Sequence, residues 1–110
     1  MEKRYVIGVD LGGTKISTAL AELNGNILSE YTIPTNAAGG EQEVLGRILS
    51  AIEKVLELGD KKADEIKSIG IGSPGPLDSK KGIILETPNL PFENFHLVKP
   101  IEERFKIPTY

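Results

Sequence analysis

The sequence of 110 residues predicts an α/β fold built on a mixed β-sheet with helices. Two observations carry this prediction. Three β-rich runs at the start, separated by turn signals, indicate an antiparallel meander. A long helical period followed by a short apolar run then indicates a strand–helix–strand crossover, which pairs its strands in parallel. A chain of this length forms one domain with a modest core.

The first three predicted strands cover residues 5–9, 16–23 and 27–33. The first turn holds the segment DLGGTK, and the second is Asn24-Gly25-Asn26, a signal for positive φ and hence for a hairpin. Pro34 ends the third strand because it cannot donate to a β-ladder. The opening third of the chain therefore reads as a meander with two distinct turns.

A helix follows the third strand, and a fourth strand is predicted at residues 66–71. The apolar positions of the helix recur at helical spacing: Val44, Leu45, Ile48, Leu49, Ile52, Val55 and Leu56. Gly59 is expected as the C′ residue that stops the helix.

Beyond the fourth strand, residues 73–82 are predicted as turns, and residues 82–95 as an apolar stretch with an irregular, proline-containing loop. Residues 100–105 suit a short helix, with proline in its first turn and Glu102 and Glu103 favourable to the helix dipole. Residues 107–110 are expected to begin a strand.

Composition excludes several function classes. The net charge of -3 and the lack of a basic stripe give no footprint for nucleic acid. No run approaches the ~18 apolar residues of a membrane span. Cysteine is absent, which excludes disulfides and thiolate metal sites, and the one histidine, His96, is better read as structural or exposed than as a ligand. The N-terminus lacks a signal-peptide pattern, so we expect a cytoplasmic protein.

The segment DLGGTK, residues 10–15, carries the clearest chemistry. Two glycines could serve only the turn, but they also let a backbone approach a phosphate closely, and successive N–H groups form an anion-binding concavity. Thr14 adds a hydroxyl donor and Lys15 a cation. Asp10, at the end of the strand, suits a partner for hydrated Mg²⁺. We interpret the segment as a phosphate loop with an acid on its metal side.

Two superficially similar motifs are rejected. Gly8 and Gly13 have Walker A spacing, but Thr14-Lys15 stands where that motif needs lysine then Ser/Thr, and a strand follows instead of a helix. Residues 70–75 form a G-x-G-x-x-G after a strand, but Pro74 and Pro76 follow, so no helix can begin there to meet a pyrophosphate. The loop still lies where open α/β sheets place ligands.

The segment Thr87-Pro88-Asn89-Leu90-Pro91 is a further candidate. Taken alone, it is more simply an ordinary surface loop. Asn89 nevertheless offers both a donor and an acceptor, which is how a site recognises sugar hydroxyls.

Together these motifs resemble the start of sugar kinases of the ROK family (repressors, open reading frames, kinases), within the actin-like ATPase superfamily. The stretches YVIGVDLGGTKI, IGIGSPGPLD and IILETPNLPF are similar to its first ATP-loop motif, its sugar-loop motif and its TPNL segment. The resemblance covers all 110 residues in order. It implies a ribonuclease-H-like small lobe with sheet order 3-2-1-4-5 and ATP in a cleft between two lobes.

The resemblance also implies roles for single residues. It makes Asp10, Gly12, Gly13, Thr14 and Lys15 the loop for ATP phosphates and Mg²⁺, with Asp10 reaching Mg²⁺ through water. It places the loop of Ser73, Pro74, Gly75 and Pro76, Gly75 above all, at the sugar pocket, and Asn89 on a sugar hydroxyl.

Two family features are missing from these 110 residues. The family's catalytic aspartate, a general base, would follow Tyr110, and the family zinc motif lies further on. The sequence is therefore expected to be the N-terminal small lobe, residues 1–110, without its large lobe, and by itself inactive. We expect the full-length protein to be a homo-oligomer that binds sugar and ATP.

The favoured hypothesis is the N-terminal part of a glucokinase-like, ATP-dependent hexose kinase. One rival is a sugar-responsive repressor of the same family. Such repressors carry a helix-turn-helix ahead of the first strand, whereas Met1 lies four residues before Tyr5, and their ATP loop tends to be degraded. Another rival is a non-catalytic module that binds sugar or nucleotide.

Overall fold

The main sheet and the long helix follow the predicted order. The computed structural model describes residues 4–72, 77–78, 83–86 and 93–110, with side chains for residues 4–72 and 97–110. Strands β1 (Tyr5–Leu11), β2 (Lys15–Glu22) and β3 (Ile27–Pro34) precede helix α1 (Glu41–Leu58), and strand β4 (Ile66–Gly72) follows it. The strand order is β3-β2-β1-β4. Because β1 pairs antiparallel with β2 and parallel with β4, the predicted mixed sheet is confirmed.

The C-terminal residues extend this sheet beyond β4. The Ile69 N–H donates to the Pro108 carbonyl and the Tyr110 N–H donates to the Ile69 carbonyl, each at 2.9 Å. Ile69 and Thr109 form a parallel bridge. The segment 107–110 therefore begins a strand beside β4. It takes the place of the fifth strand of the main sheet in the predicted order 3-2-1-4-5.

The core lies on one face of the sheet. Alternate residues of a strand point to opposite faces, so the residues of a strand that face this core lie at every second position. Ile7, Val9 and Leu11 of β1 are buried, while Gly8 and Asp10 between them are exposed. The apolar stripe of α1 packs on the buried face. Helix α2 (Val98–Phe105) joins the same core through Ile101 and Phe105, and its Arg104 pairs with Glu53 of α1.

The end of α1 differs from the prediction. Gly59 has φ −87° and is the C-cap, so it is not the left-handed C′ residue. Asp60 takes that place with φ 54°, and the Lys61 N–H donates to the Leu56 carbonyl at 3.0 Å, which makes a Schellman ending. Glycine is needed at 59 for space, since a Cβ there would lie 2.5 Å from Leu20 Cδ2.

Helix α2 (Val98–Phe105) begins two residues earlier than predicted. Glu102 and Glu103 consequently lie beyond its first turn, and the predicted dipole role for them is wrong. The Glu102 carboxylate instead accepts a hydrogen bond from the Thr109 N–H at 3.1 Å. None of the helices in the described ranges is long and apolar enough to cross a lipid bilayer.

A second sheet corrects part of the prediction of turns and irregular loop between residues 73 and 95; residues 73–76, 79–82 and 87–92 lie outside the described residues. Strands β5 (Leu77–Asp78), β6 (Ile83–Glu86) and β7 (Glu93–His96) pair antiparallel in the order β5-β6-β7. Each has only two to four residues, too few for a hydrophobic period to show. Pairing with neighbours, rather than local pattern, makes these strands.

Candidate functional site

The β1–β2 turn gathers the five predicted loop residues. Leu11 pairs with Ile16, and the Gly12 N–H donates to the Lys15 carbonyl at 3.0 Å, so the chain reverses over Gly13 and Thr14. Thr14 and Lys15 are exposed, and Gly12 and Gly13 are half-buried. The turn is thus tight, and its surface is available to a ligand.

Close backbone approach is the reason for glycine at position 12. A Cβ there would lie only 3.0 Å from the Lys15 carbonyl oxygen. Gly12 does not have a positive φ, whereas other described residues do, among them Gly25 in the second turn. Steric room, rather than backbone conformation, therefore explains this glycine, and room is also what a phosphate would need.

Asp10 occupies the sheet face opposite the core. In the strand register it lies between Ser17 of β2 and Gly72 of β4. Strand alternation places Lys15 and Ser17 on the same face as Asp10. An open depression of about 580 Å³ on this face is lined in part by Asp10, Ser17 and Gly72. A carboxylate and a hydroxyl thus border one concave surface, and Lys15 lies on the same sheet face next to the turn.

This donor set fits hydrated Mg²⁺ better than a protein-enclosed metal. Mg²⁺ retains several waters and usually takes one or two carboxylates plus substrate phosphates. Among the side chains that the structure describes, no three His, Cys, Asp or Glu residues come together to hold a metal. An ion beside Asp10 would therefore take its other ligands from water and phosphate.

Thr35 is a site residue that the sequence reasoning missed. It is fully buried just after β3. Its hydroxyl donates to the Gly12 carbonyl at 2.7 Å, and its N–H donates to the Thr14 carbonyl at 2.9 Å. The register of the β2–β3 hairpin, which pairs Lys15 with Pro34, is the signal that could have located it.

The segment around Thr35 is tied to α1. Arg47 Nη1 donates to the Pro34 carbonyl at 2.9 Å, and Asn36 Nδ2 donates to Glu43 Oε1 at 3.1 Å. The hydrogen bond from Asn36, then the hydrogen bond and charge of Arg47, lower the pKa of the Glu43 carboxyl. Glu43 therefore stays ionised and links Asn36 to Arg47 at neutral pH.

The predicted sugar-loop residues Ser73, Pro74, Gly75 and Asn89 lie outside the described residues. Gly72, which precedes Ser73 in sequence, pairs with Asp10. Because β1 and β4 are parallel, β4 ends with Gly72 at the sheet edge where β1 enters its turn. This is the edge where open α/β sheets bind ligands.

Comparison with known proteins agrees with this architecture. The sequence profile described as "ROK family" matches residues 6–110. The chain belongs to the ROK family. This ROK chain is 40% identical over 106 residues to the glucokinase of Thermotoga maritima, covering 96% of the chain and 31% of the relative. It is 33% identical over 109 residues to the glucokinase of Halalkalibacterium halodurans, covering 99% and 33%.

Regulators also occur among the relatives of this ROK chain. It is 31% identical over 108 residues to the DNA-binding transcriptional dual regulator NagC of Escherichia coli, covering 96% of the chain and 26% of the regulator. The chain spans about a third of the length of the glucokinases it matches.

Solved structures confirm the fold class of this ROK chain. The ROK hexokinase of Thermus thermophilus superposes with a TM-score of 0.84 at 32% identity, covering 96% of the chain and 34% of the hexokinase. The ROK glucokinase of Streptomyces griseus, solved with glucose and AMPPNP, gives a TM-score of 0.83 at 28% identity, covering 96% and 31%. The predicted actin-like ATPase fold is therefore correct, with observed order 3-2-1-4 and a fifth strand beginning at the C-terminus.

Proposed function

We propose that this chain is the N-terminal small lobe of a glucokinase-like kinase that transfers the γ-phosphate of ATP to a hexose hydroxyl. The observation that carries the proposal is the β1–β2 turn, where exposed Asp10 stands beside a Gly-Gly turn whose carbonyls are held by buried Thr35. The glucokinase relatives and the glucose and AMPPNP bound in the Streptomyces griseus enzyme support the choice of sugar and ATP.

The residues of the turn divide the work of holding ATP. The backbone N–H groups of Gly13, Thr14 and Lys15 and the Lys15 ammonium would bind phosphate oxygens, and Asp10 would hold Mg²⁺ through water. When bound, Mg²⁺ would neutralise part of the negative charge of the phosphates. The sugar side consists of Ser73, Pro74, Gly75 and Asn89, with Asn89 hydrogen-bonded to a sugar hydroxyl.

In the transfer itself, the sugar hydroxyl oxygen forms a bond to the γ-phosphorus as the bond to the β–γ bridging oxygen breaks. The hydroxyl proton passes to an aspartate that follows Tyr110 in the longer protein, and ADP leaves. The family resemblance supports this general base. We place the enzyme in the cytoplasm as a homo-oligomer, with the large lobe and the family zinc site outside residues 1–110.

A crossed pair of variants tests the assignment in the full-length protein. Asp10→Ala is expected to raise the KM for Mg²⁺·ATP and lower kcat, while sugar affinity is retained. Asn89→Ala is expected to raise the sugar KM by about 5- to 100-fold through an unpaired substrate hydroxyl, with ATP affinity little changed. Steady-state kinetics with glucose, varying each substrate separately, measures both effects.

The reverse pattern would assign each loop to the wrong ligand. Unchanged kcat and ATP KM in Asp10→Ala would overturn the phosphate-loop assignment. Both variants should be shown to melt at the wild-type temperature, so that a kinetic change is not a folding change.

A sugar-responsive repressor is the second candidate, because the regulator NagC is nearly as similar as one of the glucokinases, 31% against 33%. The two functions separate in a paired assay of the full-length protein. A kinase gives sugar-dependent ADP release, whereas a repressor gives sugar-dependent release of operator DNA without turnover. Binding of sugar or nucleotide with neither activity would identify the third candidate, a non-catalytic binding module.

A further inference from the structure

Thr35 fixes the direction of two peptide groups in the phosphate loop. Its hydroxyl and its N–H donate to the Gly12 and Thr14 carbonyls at 2.7 and 2.9 Å. In a trans peptide the carbonyl and the following N–H point in opposite directions, and the described chain holds no cis peptide. The N–H groups of Gly13 and Lys15 therefore point away from Thr35.

That direction is the one an anion needs. Thr35 is fully buried, whereas Thr14 and Lys15 are exposed. Carbonyl oxygens, which repel phosphate, are therefore held against the protein interior. The adjacent N–H groups, which attract phosphate, are directed away from that interior.

The residues on either side of Thr35 are hydrogen-bonded to helix α1. Arg47 Nη1 binds the Pro34 carbonyl at 2.9 Å on one side. On the other side the Asn36 side chain binds Glu43, which also pairs with Arg47 at 3.2 Å. Helix α1 thus positions Thr35, and Thr35 positions the turn.

We infer that Thr35 is a positioning residue for the nucleotide phosphates, acting through the peptide groups of the β1–β2 turn; this rests on the proposed ATP-binding role of that turn. Thr35→Val keeps the shape of the side chain but removes the hydroxyl and leaves the Gly12 carbonyl unpaired. We expect affinity for Mg²⁺·AMPPNP to fall by about 5- to 10-fold, the usual effect of one lost hydrogen bond. Thr35→Ser, which retains the hydroxyl, should bind within about twofold of wild type.

The experiment is calorimetric titration of the full-length protein with Mg²⁺·AMPPNP and, separately, with glucose. Thr18→Val is the matched control, because it makes the same change at a buried β2 residue whose hydroxyl has no partner in the described part of the chain. It should leave nucleotide affinity unchanged. Glucose affinity should stay at the wild-type value in all three threonine variants, which a general loss of structure would not allow.

Asp10→Ala separates this inference from the proposed function. If Thr35→Val binds AMPPNP like wild type while Asp10→Ala binds it weakly, the Thr35 inference is wrong and the phosphate loop stands. If wild type does not bind AMPPNP, or neither variant changes its binding, the proposed function fails as well. Equal losses in Thr35→Val and Thr35→Ser would also overturn the role of the hydroxyl. If Thr35→Val does not fold, the AMPPNP affinities of Thr35→Ala and Thr35→Ser are compared instead. Equal affinities would overturn the role of the hydroxyl, and a weaker affinity of Thr35→Ala alone would support it.

Discussion

Among single residues, Thr18 is the buried counterpart of Thr35 without its hydrogen bonds. Its side chain lies in the core at 2% exposure, and its hydroxyl has no partner among the residues described. A buried hydroxyl without a hydrogen bond costs free energy, whereas a methyl group at the same place would not. Thr18→Val should therefore raise the free energy of unfolding by about 1 kcal/mol. Thermal unfolding followed by circular dichroism measures this as a higher melting temperature.

Thr32→Val is the control for that measurement. Thr32 is exposed on β3, and its hydroxyl donates to Ser17 Oγ at 3.3 Å. Its stability should stay within about 0.5 kcal/mol of wild type. A Thr18→Val protein that melts below wild type would show that the Thr18 hydroxyl is hydrogen-bonded in solution, contrary to the structure.

Site residues that can be recognised by side-chain type within one segment are predictable from the sequence. Residues that reach the site only through tertiary pairing are not. Asp10, Thr14 and Lys15 stand together in one segment, so a carboxylate, a hydroxyl and a cation can be read directly. Thr35 is 23 residues from the Gly12 carbonyl that its hydroxyl binds. Only the hairpin register brings the two together, and a threonine after proline has no local signature of such a role.

For the elements, Gly59 decides how closely α1 can approach the sheet. A Cβ there would meet Leu20 Cδ2 at 2.5 Å and Ser29 Oγ at 3.1 Å, and both positions are constrained. Leu20 is fully buried, and the Ser29 hydroxyl donates to the Val55 carbonyl at 2.7 Å. Gly59→Ala should destabilise the protein by about 1–3 kcal/mol through overpacking. Denaturant unfolding measures this as a lower midpoint.

Gly46 offers the same substitution without the contact. It lies exposed inside α1, and a Cβ there would have no heavy atom within 4 Å. Gly46→Ala should stabilise the protein by about 0.4–1 kcal/mol, because alanine loses less backbone entropy on folding. Stabilisation by Gly59→Ala as well would mean that α1 is less tightly seated on β2 and β3 than the structure shows.

The elements that were predicted well have enough length to carry a pattern. The stripe of α1 extends over 18 residues, and the meander strands have seven or eight each. The second sheet, with strands of two to four residues, was predicted as turns and loop because its pairing is set by tertiary contacts. The end of α1 was misjudged by one residue, because a glycine kept for packing resembles one kept for a left-handed cap.

At the scale of the whole molecule, the residues that the structure describes build the candidate site from one side only. Helices α1 and α2 pack on one face of the main sheet, while Asp10 lines a depression on the opposite face. The depression there contacts ATP from a single wall in our proposal. Positioning of two reactants relies on groups that surround them, and its contribution to rate falls steeply when part of that enclosure is missing.

These 110 residues alone are therefore expected not to phosphorylate sugar and to bind nucleotide weakly. The chain spans about a third of the glucokinases it matches, its one histidine is His96, and no Asp or Glu in it corresponds to the catalytic aspartate expected after Tyr110. Losing general-base assistance alone costs about 10²–10⁴-fold in rate. A coupled assay of ADP release, with purified chain, glucose and Mg²⁺·ATP, should give no sugar-dependent signal, whereas the full-length protein should give one. Turnover by the 110-residue chain that persists on further purification and disappears in Asp10→Ala would show that this lobe is catalytically complete.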